Sequence, residues 1–286
     1  MTQATVSAIQ AADLDSIGRF LNANLNPRIS PAAWISALRH PWCAARPNFG
    51  AQLRDGPRLV GVLCAIYSDQ IIDGRLEKFC NPHSWCVLSA YRNQGIALVL
   101  SLIKQTGYHF TMLTPNPRVA EIFRHLKFKD LDDRVAVFPN LPSLSAAYPG
   151  AITVCDTRGM AGHLSGPARR DLELHQDIPW IRFVTVGRGA DTCLIAYKTA
   201  RWKRLPCARL IYVSDAAAFD RHRGLLQHHL LTRQGLLVSR VESRYLLREP
   251  RLAHRSRRTQ AKLHSSRGLT DPQIRDLYSE LVALDV

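Results

Sequence analysis

The sequence of 286 residues has no paired cysteines, no long apolar run and few acidic side chains. Its seven cysteines are scattered, odd in number and without a C-x-x-C pair, which argues against a disulfide framework and against a zinc site. No apolar run approaches the roughly 20 residues that a membrane-spanning helix needs. The start of the chain shows no basic region followed by an apolar one, the pattern of a secretory signal. These absences predict a cytoplasmic protein with reduced thiols, no metal and no membrane span.

Basic residues outnumber acidic ones, 38 to 23, and the formal net charge is +15. This excess predicts an acidic partner, such as the phosphates of acyl-CoA, an acidic acyl carrier protein or nucleic acid. The basic residues are concentrated in 251–267, a stretch with no carboxylate and no aromatic residue. Because proteins that bind single-stranded nucleic acid combine basic charge with stacking aromatic rings, this stretch indicates a phosphate-facing surface or a mobile basic linker instead.

The segment 87–97 reads VLSAYRNQGIA and is preceded by a short apolar strand and followed by an apolar run. This order predicts a strand, a turn and a buried helix that starts near Gly95. The first backbone N–H groups of a helix have no intrahelical acceptor and lie at the positive end of its dipole, so they suit a pyrophosphate. Gly95 and Ala97 are small enough to let the phosphates approach, and Arg92 adds a positive charge.

The spacing Arg92-x-x-Gly95-x-Ala97 resembles motif A of the GNAT superfamily of acyl-CoA N-acyltransferases, which is R/Q-x-x-G-x-G/A after a strand. Val87 and Tyr91 also match the residues that the family places before the arginine.

A downstream segment, 116–128, resembles the family pattern N-x-x-A-x-x-x-Y-x-x-x-G-F. Asn116 and Phe128 match, while Ala120 is one position late. Phe123 replaces the family tyrosine and Lys127 replaces the glycine, so this second match is partial.

The resemblance implies an α/β (α+β) fold in which helices flank a mixed central sheet. It also implies an enzyme that transfers an acetyl or other acyl group from acyl-CoA to an amine or sugar acceptor, with the acceptor itself unknown. The residues expected to contact acyl-CoA are Val87, Arg92, Asn93, Gln94, Gly95, Ile96, Ala97 and Asn116. A GNAT-like module that binds CoA without turnover, and a basic protein associated with nucleic acid, are the alternatives.

Catalysis by this family requires a proton acceptor for the amine and, often, a tyrosine that protonates the departing thiolate. Phe123 occupies the position of that tyrosine here. His83 and Glu77, which precede the motif, are the candidate bases, and Tyr91 is a more distant proton donor. An ordinary imidazole titrates near neutrality, which favours His83, whereas Glu77 could simply form a surface ion pair.

The order of elements predicted for the first unit, 1–140, is β-α-α-β-β-β-α-β-α-β. Its last strand is expected over 134–138. The strand that leads into the motif is expected to break at Asn81-Pro82, because proline has no backbone N–H to donate to a neighbouring strand. A turn-rich segment, 139–150, marks the boundary of this unit.

The second unit, 150–250, has the predicted order β-β-β-α-β, which repeats the middle of the first. Arg221 and Gly224 keep the motif spacing, but Leu226 stands where Ala97 stands in the first unit. We therefore expect a divergent GNAT-like unit that lacks a cofactor site. The remaining residues, 251–286, are expected to form a basic segment and a C-terminal amphipathic helix over 271–284.

Overall fold

The computed structural model describes residues 4–143 and 160–285. The chain forms two compact units. The first comprises the chain up to Leu131 together with Gln260–Ile274 and the residues from Tyr278 onward, and the second comprises Asp132–Thr259 and Arg275–Leu277. Part of the expected boundary, 144–150, lies outside the described residues. Among the helices of the described ranges, none is both long enough and apolar enough to cross a membrane.

The described residues form helices and strands with the following bounds. The helices are α1 (Leu14–Asn24), α2 (Pro31–Leu38), α3 (Ile96–Ile103), α4 (Pro117–His125), α5 (Gly166–His175), α6 (Ala216–Thr232) and α7 (Glu280–Ala283). The strands are β1 (Thr5–Ala8), β2 (Gly50–Asp55), β3 (Arg58–Ile72), β4 (Arg75–Val87), β5 (His109–Met112), β6 (Lys129–Asp130), β7 (Arg134–Pro139), β8 (Arg182–Val186), β9 (Cys193–Trp202), β10 (Leu205–Val213), β11 (Val238–Glu242), β12 (His254–Arg257) and β13 (Leu263–Ser265).

The first unit is built on a seven-stranded sheet of order β1-β2-β3-β4-β5-β13-β6. All neighbours in this sheet are antiparallel except β4 and β5, which are parallel and are connected through α3. Helices α3 and α4 contribute Leu98, Leu102 and Phe123 to one apolar cluster with Leu63 and Phe110 of the sheet. The predicted mixed sheet with flanking helices is therefore confirmed.

Strand β4 does not break at the predicted place. Its ladder with β3 continues through Asn81 and Pro82, and the irregularity lies further on, where Ser84 and Trp85 together face Leu63. Ser84 adopts the left-handed conformation, with φ of 53°. The hydrogen-bonded pairing of β4 with β5 ends at Cys80. Pro82 lies beyond that point, where β4 no longer needs to donate to β5, so the missing N–H of proline is tolerated.

The second unit is built on a six-stranded sheet of order β12-β7-β11-β10-β9-β8. The predicted strands and the helix α6 are confirmed, and β11 runs parallel to β10 after that helix. The sequence analysis placed 134–138 in the first unit, whereas β7 pairs with β11 and β12 in the sheet of the second unit. Ala136 and Phe138 of β7 are buried in the apolar cluster of the second unit. The place beside β5 in the first sheet is taken by β13.

The C-terminal part of the chain also differs from the expectation. The basic stretch 251–267 contains β12 and β13 and so is not a simple linker. The predicted helix over 271–284 is replaced by a 3-10 helix, Asp271–Gln273, and by the four-residue α7. Ile274, between these two elements, has an extended backbone and is fully buried, which ends the first helical turn.

Candidate functional site

The sequence predicts a helix that starts near Gly95, but the chain after β4 is already helical from Ser89. Ser89–Gln94 form a 3-10 helix that leads through Gly95 directly into α3. The N–H of Gly95 donates to the carbonyl of Arg92 at 3.2 Å, and the N–H of Leu98 donates to the carbonyl of Gly95 at 3.1 Å. Among the described residues, no side chain caps the start of either helix. The start of this segment therefore keeps the positive potential that attracts a phosphate.

Gly95 is buried at the centre of this turn. A Cβ at this position would lie 3.3 Å from both the Arg92 carbonyl oxygen and Cγ2 of Val87. The backbone is therefore close-packed here, and a larger side chain would have to displace the neighbouring Val87 and Trp85 side chains. Val87 itself packs against the core below the turn.

The other residues of the expected cofactor site have different environments. Arg92, Asn93 and Ile96 are exposed, and Ala97 is half-buried. Arg92 forms no ion pair within the described part of the chain, so its charge is open to a ligand. The side-chain oxygen of Gln94 instead accepts from the N–H of Ala4 at 3.1 Å, which anchors the turn to the start of β1.

Asn116 belongs to a different element and lies at the start of α4. Its side-chain oxygen accepts from the N–H of Val119 at 2.9 Å and so caps that helix. The capping role explains an asparagine at this position without a ligand. Its contact with acyl-CoA stays a prediction.

A gap opens between β4 and β5 next to the turn. The two strands pair only at Phe79 with His109 and at Cys80 with Phe110, although β4 continues for seven further residues to Val87. The side chain of Asn81 spans the start of the gap, since its Nδ2 donates to the carbonyl of Thr111 at 3.0 Å. The carboxyl ends of parallel strands are where open α/β sheets bind ligands.

His83 lies on the part of β4 beyond the last pair with β5. It is 2% exposed, and its Nδ1 lies 2.8 Å from the hydroxyl oxygen of Ser84. Its Nε2 is buried and has no hydrogen-bond partner in the described ranges. Burial lowers the pKa of His83 to about 3. The imidazole is therefore neutral at every physiological pH, but it is a much weaker base than the sequence led us to expect.

Glu77 and Tyr91 do not join His83 in one cluster of contacts. An oxygen of Glu77 lies 3.0 Å from Nε2 of His109, at the start of β5 and so at the end of the strands opposite to the turn. The hydroxyl of Tyr91 donates to Asp55 at 2.6 Å, and this hydrogen bond raises the pKa of Tyr91. Both residues thus have partners that explain them structurally, and their catalytic roles stay predictions.

Two departures from the family pattern in 116–128 have structural explanations. Phe123 is completely buried and meets Phe128 edge-on at 4.8 Å between ring centroids, so it belongs to the core. Lys127 has φ of 68°, in the left-handed region that favours glycine, and it follows the end of α4. The chain therefore keeps the helix-ending conformation at this position without the residue best suited to it.

Glu280 is an ionisable residue of this region that no sequence pattern indicated. It is buried in the first unit, where its carboxyl accepts from the hydroxyl of Thr114 at 2.6 Å and its N–H donates to Asn81. Glu280 is about 200 positions from Asn81 in the chain, and no motif links the two residues. Only the return of the C-terminal segment to the first unit brings them together.

The corresponding turn of the second unit is closed by its own side chains. The carboxyl of Asp215 accepts from the N–H of Ala218 at 2.8 Å and caps α6. Arg221, the counterpart of Arg92, is bound to Asp191, whose pKa falls to about 2 because of Arg221 and then His222. In the part of the chain that the structure describes, the first unit has an uncapped helix start and an arginine without an ion pair, which both attract a phosphate. In the second unit the helix start is capped and the corresponding arginine is paired.

Several arginines of the basic stretch form ion pairs with carboxylates. Arg255 forms an ion pair with Glu249 at 2.7 Å, and Arg258 forms one with Glu242 at 3.1 Å. The hypothesis of a nucleic-acid surface was based on charge alone. It is weakened because carboxylates already neutralise these arginines. Across the described residues, no group of three or more His, Cys, Asp and Glu side chains could hold a metal ion.

Comparisons with known proteins identify the fold. No protein-family model and no curated protein matches the sequence. The structure is similar to a GCN5-related N-acetyltransferase from Kribbella flavida, with a TM-score of 0.58 and 13% identity over 92% of this chain and 71% of that one. A GCN5-related N-acetyltransferase from Anabaena variabilis gives a TM-score of 0.57 and 10% identity over 92% and 72%. Eis1 from Mycobacterium abscessus gives 0.51 and 13% over 91% and 72%. The chain therefore has the fold of the GCN5-related N-acetyltransferases, the GNAT superfamily.

Proposed function

We propose that the first unit binds acyl-CoA and transfers its acyl group, an acetyl group in the simplest case, to the nitrogen of an amine or amino-sugar acceptor. The observation that supports this most directly is the gap between β4 and β5, which lies next to an uncapped helical turn with an open arginine. The names of the similar structures agree with this activity. At 10–13% identity they establish the fold alone.

The turn has the features that a pyrophosphate needs. Its backbone N–H groups lie at the positive end of the helical segment, and Gly95 adds no side chain that would keep phosphate oxygens away from them. Arg92 supplies a formal charge, and Asn93 a further exposed polar side chain. From that turn the pantetheine arm would extend along Val87 into the gap between the strands.

The bulge on β4 would polarise the thioester. A bulge removes one residue from the regular ladder, so the backbone around Ser84 and Trp85 is the part of β4 available to hold the carbonyl oxygen. The acceptor amine then attacks the carbonyl carbon directly, and the thiolate of CoA leaves. No covalent enzyme intermediate is needed, which is consistent with the environment of Cys86, a buried thiol whose pKa is raised by that burial.

Ligand-dependent thermal stability tests the donor. Free CoA, acetyl-CoA, a longer acyl-CoA and an acylated carrier protein should be compared at equal concentration. A ligand at 100 times its Kd stabilises the folded chain by about 2.7 kcal/mol, so binding must raise Tm. We expect the CoA compounds to raise Tm, and we expect the carrier protein to add nothing beyond them. No shift with any CoA compound would contradict the proposal.

A CoA-binding module without turnover is the second candidate. It is favoured by the buried Phe123 at the position of the family tyrosine and by the low pKa of His83. Release of free thiol from acetyl-CoA in the presence of amines distinguishes the two candidates. A chain that binds acetyl-CoA but releases no CoA with any amine would support the module.

A further inference from the structure

Glu280 is a buried acid with only half of its carboxyl satisfied. The residue is 3% exposed, and Oε1 accepts from the hydroxyl of Thr114 at 2.6 Å. Oε2 is also buried, and in the described part of the chain it has no hydrogen-bond partner. Because a buried carboxyl without full pairing lowers stability, such a group usually has a role other than holding the fold together.

The partners of Glu280 place it at the gap between β4 and β5. Its N–H donates to Oδ1 of Asn81 at 3.2 Å, and Asn81 is the first residue of β4 beyond the last pair with β5. Thr114 follows the end of β5 and is half-buried, whereas the Glu280 carboxyl to which its hydroxyl donates is buried. Strand β4 and the segment that follows β5 thus each contribute one contact to the same glutamate.

We infer that Glu280 and Thr114 form the proton-accepting pair for acyl transfer in this gap, an inference that rests on the proposed function. The hydroxyl of Thr114 meets the acceptor and passes its proton to the carboxylate of Glu280. The C-terminal segment thereby supplies the proton acceptor to a binding site built by β4, β5 and α3.

The protonation of Glu280 suits this task. Burial raises its pKa to about 7, while the hydrogen bond from Thr114 and the charge of Lys262 favour the ionised form. A base is most effective when its pKa lies near the working pH. His83, with a pKa of about 3, would be protonated only under strongly acidic conditions and is a poor acceptor by comparison.

The acceptor nitrogen loses two protons during the proposed step, one to Glu280 and one to the departing thiolate. The acceptor ammonium gives one proton through the Thr114 hydroxyl to Glu280, which later releases it to solvent. The neutral nitrogen attacks the thioester carbon, the N–C bond forms, and the C–S bond breaks. The thiolate takes a second proton from the nitrogen, so that CoA leaves as a thiol and one N–H remains on the amide.

The test is the pH dependence of CoA release. Acetyl-CoA is the donor, and spermidine, a lysine-containing peptide and glucosamine are the acceptors, between about pH 5.5 and pH 9. We expect kcat/KM of the wild type to rise with pH through about 7, the pKa of Glu280. Glu280→Gln should lower kcat on the order of a hundredfold or more and abolish this rise of kcat/KM with pH, the alkaline-going limb of the profile.

Variants of Thr114 separate proton transfer from packing. Thr114→Val keeps the shape but removes the hydroxyl, so kcat should fall and any remaining limb should move to higher pH. Thr114→Ser restores the hydroxyl and should restore most of the rate. Glu173→Gln, an exposed glutamate of α5, is the matched control and should leave the profile unchanged. The Kd for CoA should be the same in all four variants.

Two outcomes would overturn the inference in distinguishable ways. If Glu280→Gln turns over at the wild-type rate with an unshifted limb, Glu280 is not the proton acceptor although acyl transfer stands. If the wild type binds acetyl-CoA but releases no CoA with any of the three acceptors, the proposed function fails, and the role of Glu280 fails with it.

Discussion

The helix that follows β4 in the first unit, α3, and the helix that follows β10 in the second unit, α6, start in different ways. In the first unit the helical segment before α3 has no side-chain cap, and Arg92 has no ion-pair partner among the described residues. In the second unit Asp215 caps α6, and Asp191 binds Arg221. A capping carboxylate satisfies the N–H groups that a phosphate would need and adds a negative charge beside them. The same strand order is therefore combined with features that favour the proposed anion site in the first unit and with features that disfavour one in the second.

The buried carboxyls of the two units show a similar contrast. Asp171 in the second unit accepts from the hydroxyl of Tyr212 and from Arg275. Glu280 in the first unit accepts from Thr114 and has an unsatisfied oxygen. A buried carboxyl that accepts hydrogen bonds from a hydroxyl and a guanidinium is well satisfied, whereas one with an unsatisfied oxygen lowers stability. Ligand binding and proton transfer are thus expected in the first unit.

The largest predicted effect concerns these two carboxyls. Burial raises the pKa of Glu280 from its ordinary 4.5 to about 7, so the folded chain binds this proton more tightly than the unfolded chain. The resulting stability is full below pH 4.5 and is lost as the pH rises through 7. Because Gln carries no charge at any pH, Glu280→Gln should be roughly 3 kcal/mol more stable than the wild type above that range.

Urea unfolding at several pH values between about 5 and 9 measures this difference. Asp171→Asn is the counterpart in the second unit and should lower the free energy of unfolding at neutral pH by about 1–3 kcal/mol, because Arg275 loses its anionic partner. If Glu280→Gln were destabilised to the same extent at alkaline pH, the contrast between the two carboxyls would be disproved.

A smaller effect is expected from charge reversal at the two motif arginines. Arg92→Glu should weaken CoA binding on the order of tenfold or more, since a charge-assisted hydrogen bond to phosphate contributes about 1.5–3 kcal/mol. Arg221→Glu should leave CoA affinity unchanged, because its guanidinium is already bound to Asp191. Isothermal titration calorimetry with free CoA gives both values. Equal losses in the two variants would show that net charge, and not the turn, controls binding.

The smallest effect concerns two left-handed positions, one in each unit. Lys127 has φ of 68° and Arg204 has φ of 70°. Lys127→Gly and Arg204→Gly should each stabilise their unit by about 1 kcal/mol, because only glycine adopts this conformation without a steric cost. Thermal unfolding should show similar gains at both sites. A gain at one site alone would mean that the lysine or arginine side chain makes a compensating contact there.

Local sequence signals predicted most of the elements and the turn. The alternating and apolar runs predicted the order of strands and helices, including β3, β4 and the strands of the second unit. The motif spacing identified the strand, the turn and α3 as a unit. These features depend on residues that are neighbours in the chain, so a pattern along the sequence contains them.

Pairings between distant segments could not be predicted in this way. β7 has the apolar alternation of a core strand, but its sequence does not state which of two similar sheets it joins. The pairing of β13 with β5 and the position of Glu280 beside Asn81 depend on a chain reversal of well over a hundred residues. The burial that changes the pKa of both His83 and Glu280 follows from those pairings, so it could not be predicted from the sequence either.

The affinity of CoA for two glycine variants tests the central claim most directly. Gly95→Glu adds a bulky negative side chain to the turn at which the phosphates are expected to bind, and Gly95→Ala controls for the tight contacts at 3.3 Å around that position. Gly224→Glu makes the same change in the second unit, where a Cβ would meet only the side chain of Ser143, at 3.4 Å or more. Calorimetry should show no CoA binding to a folded Gly95→Glu chain, and wild-type affinity for Gly224→Glu. Unchanged affinity in Gly95→Glu, or loss in Gly224→Glu, would contradict the account.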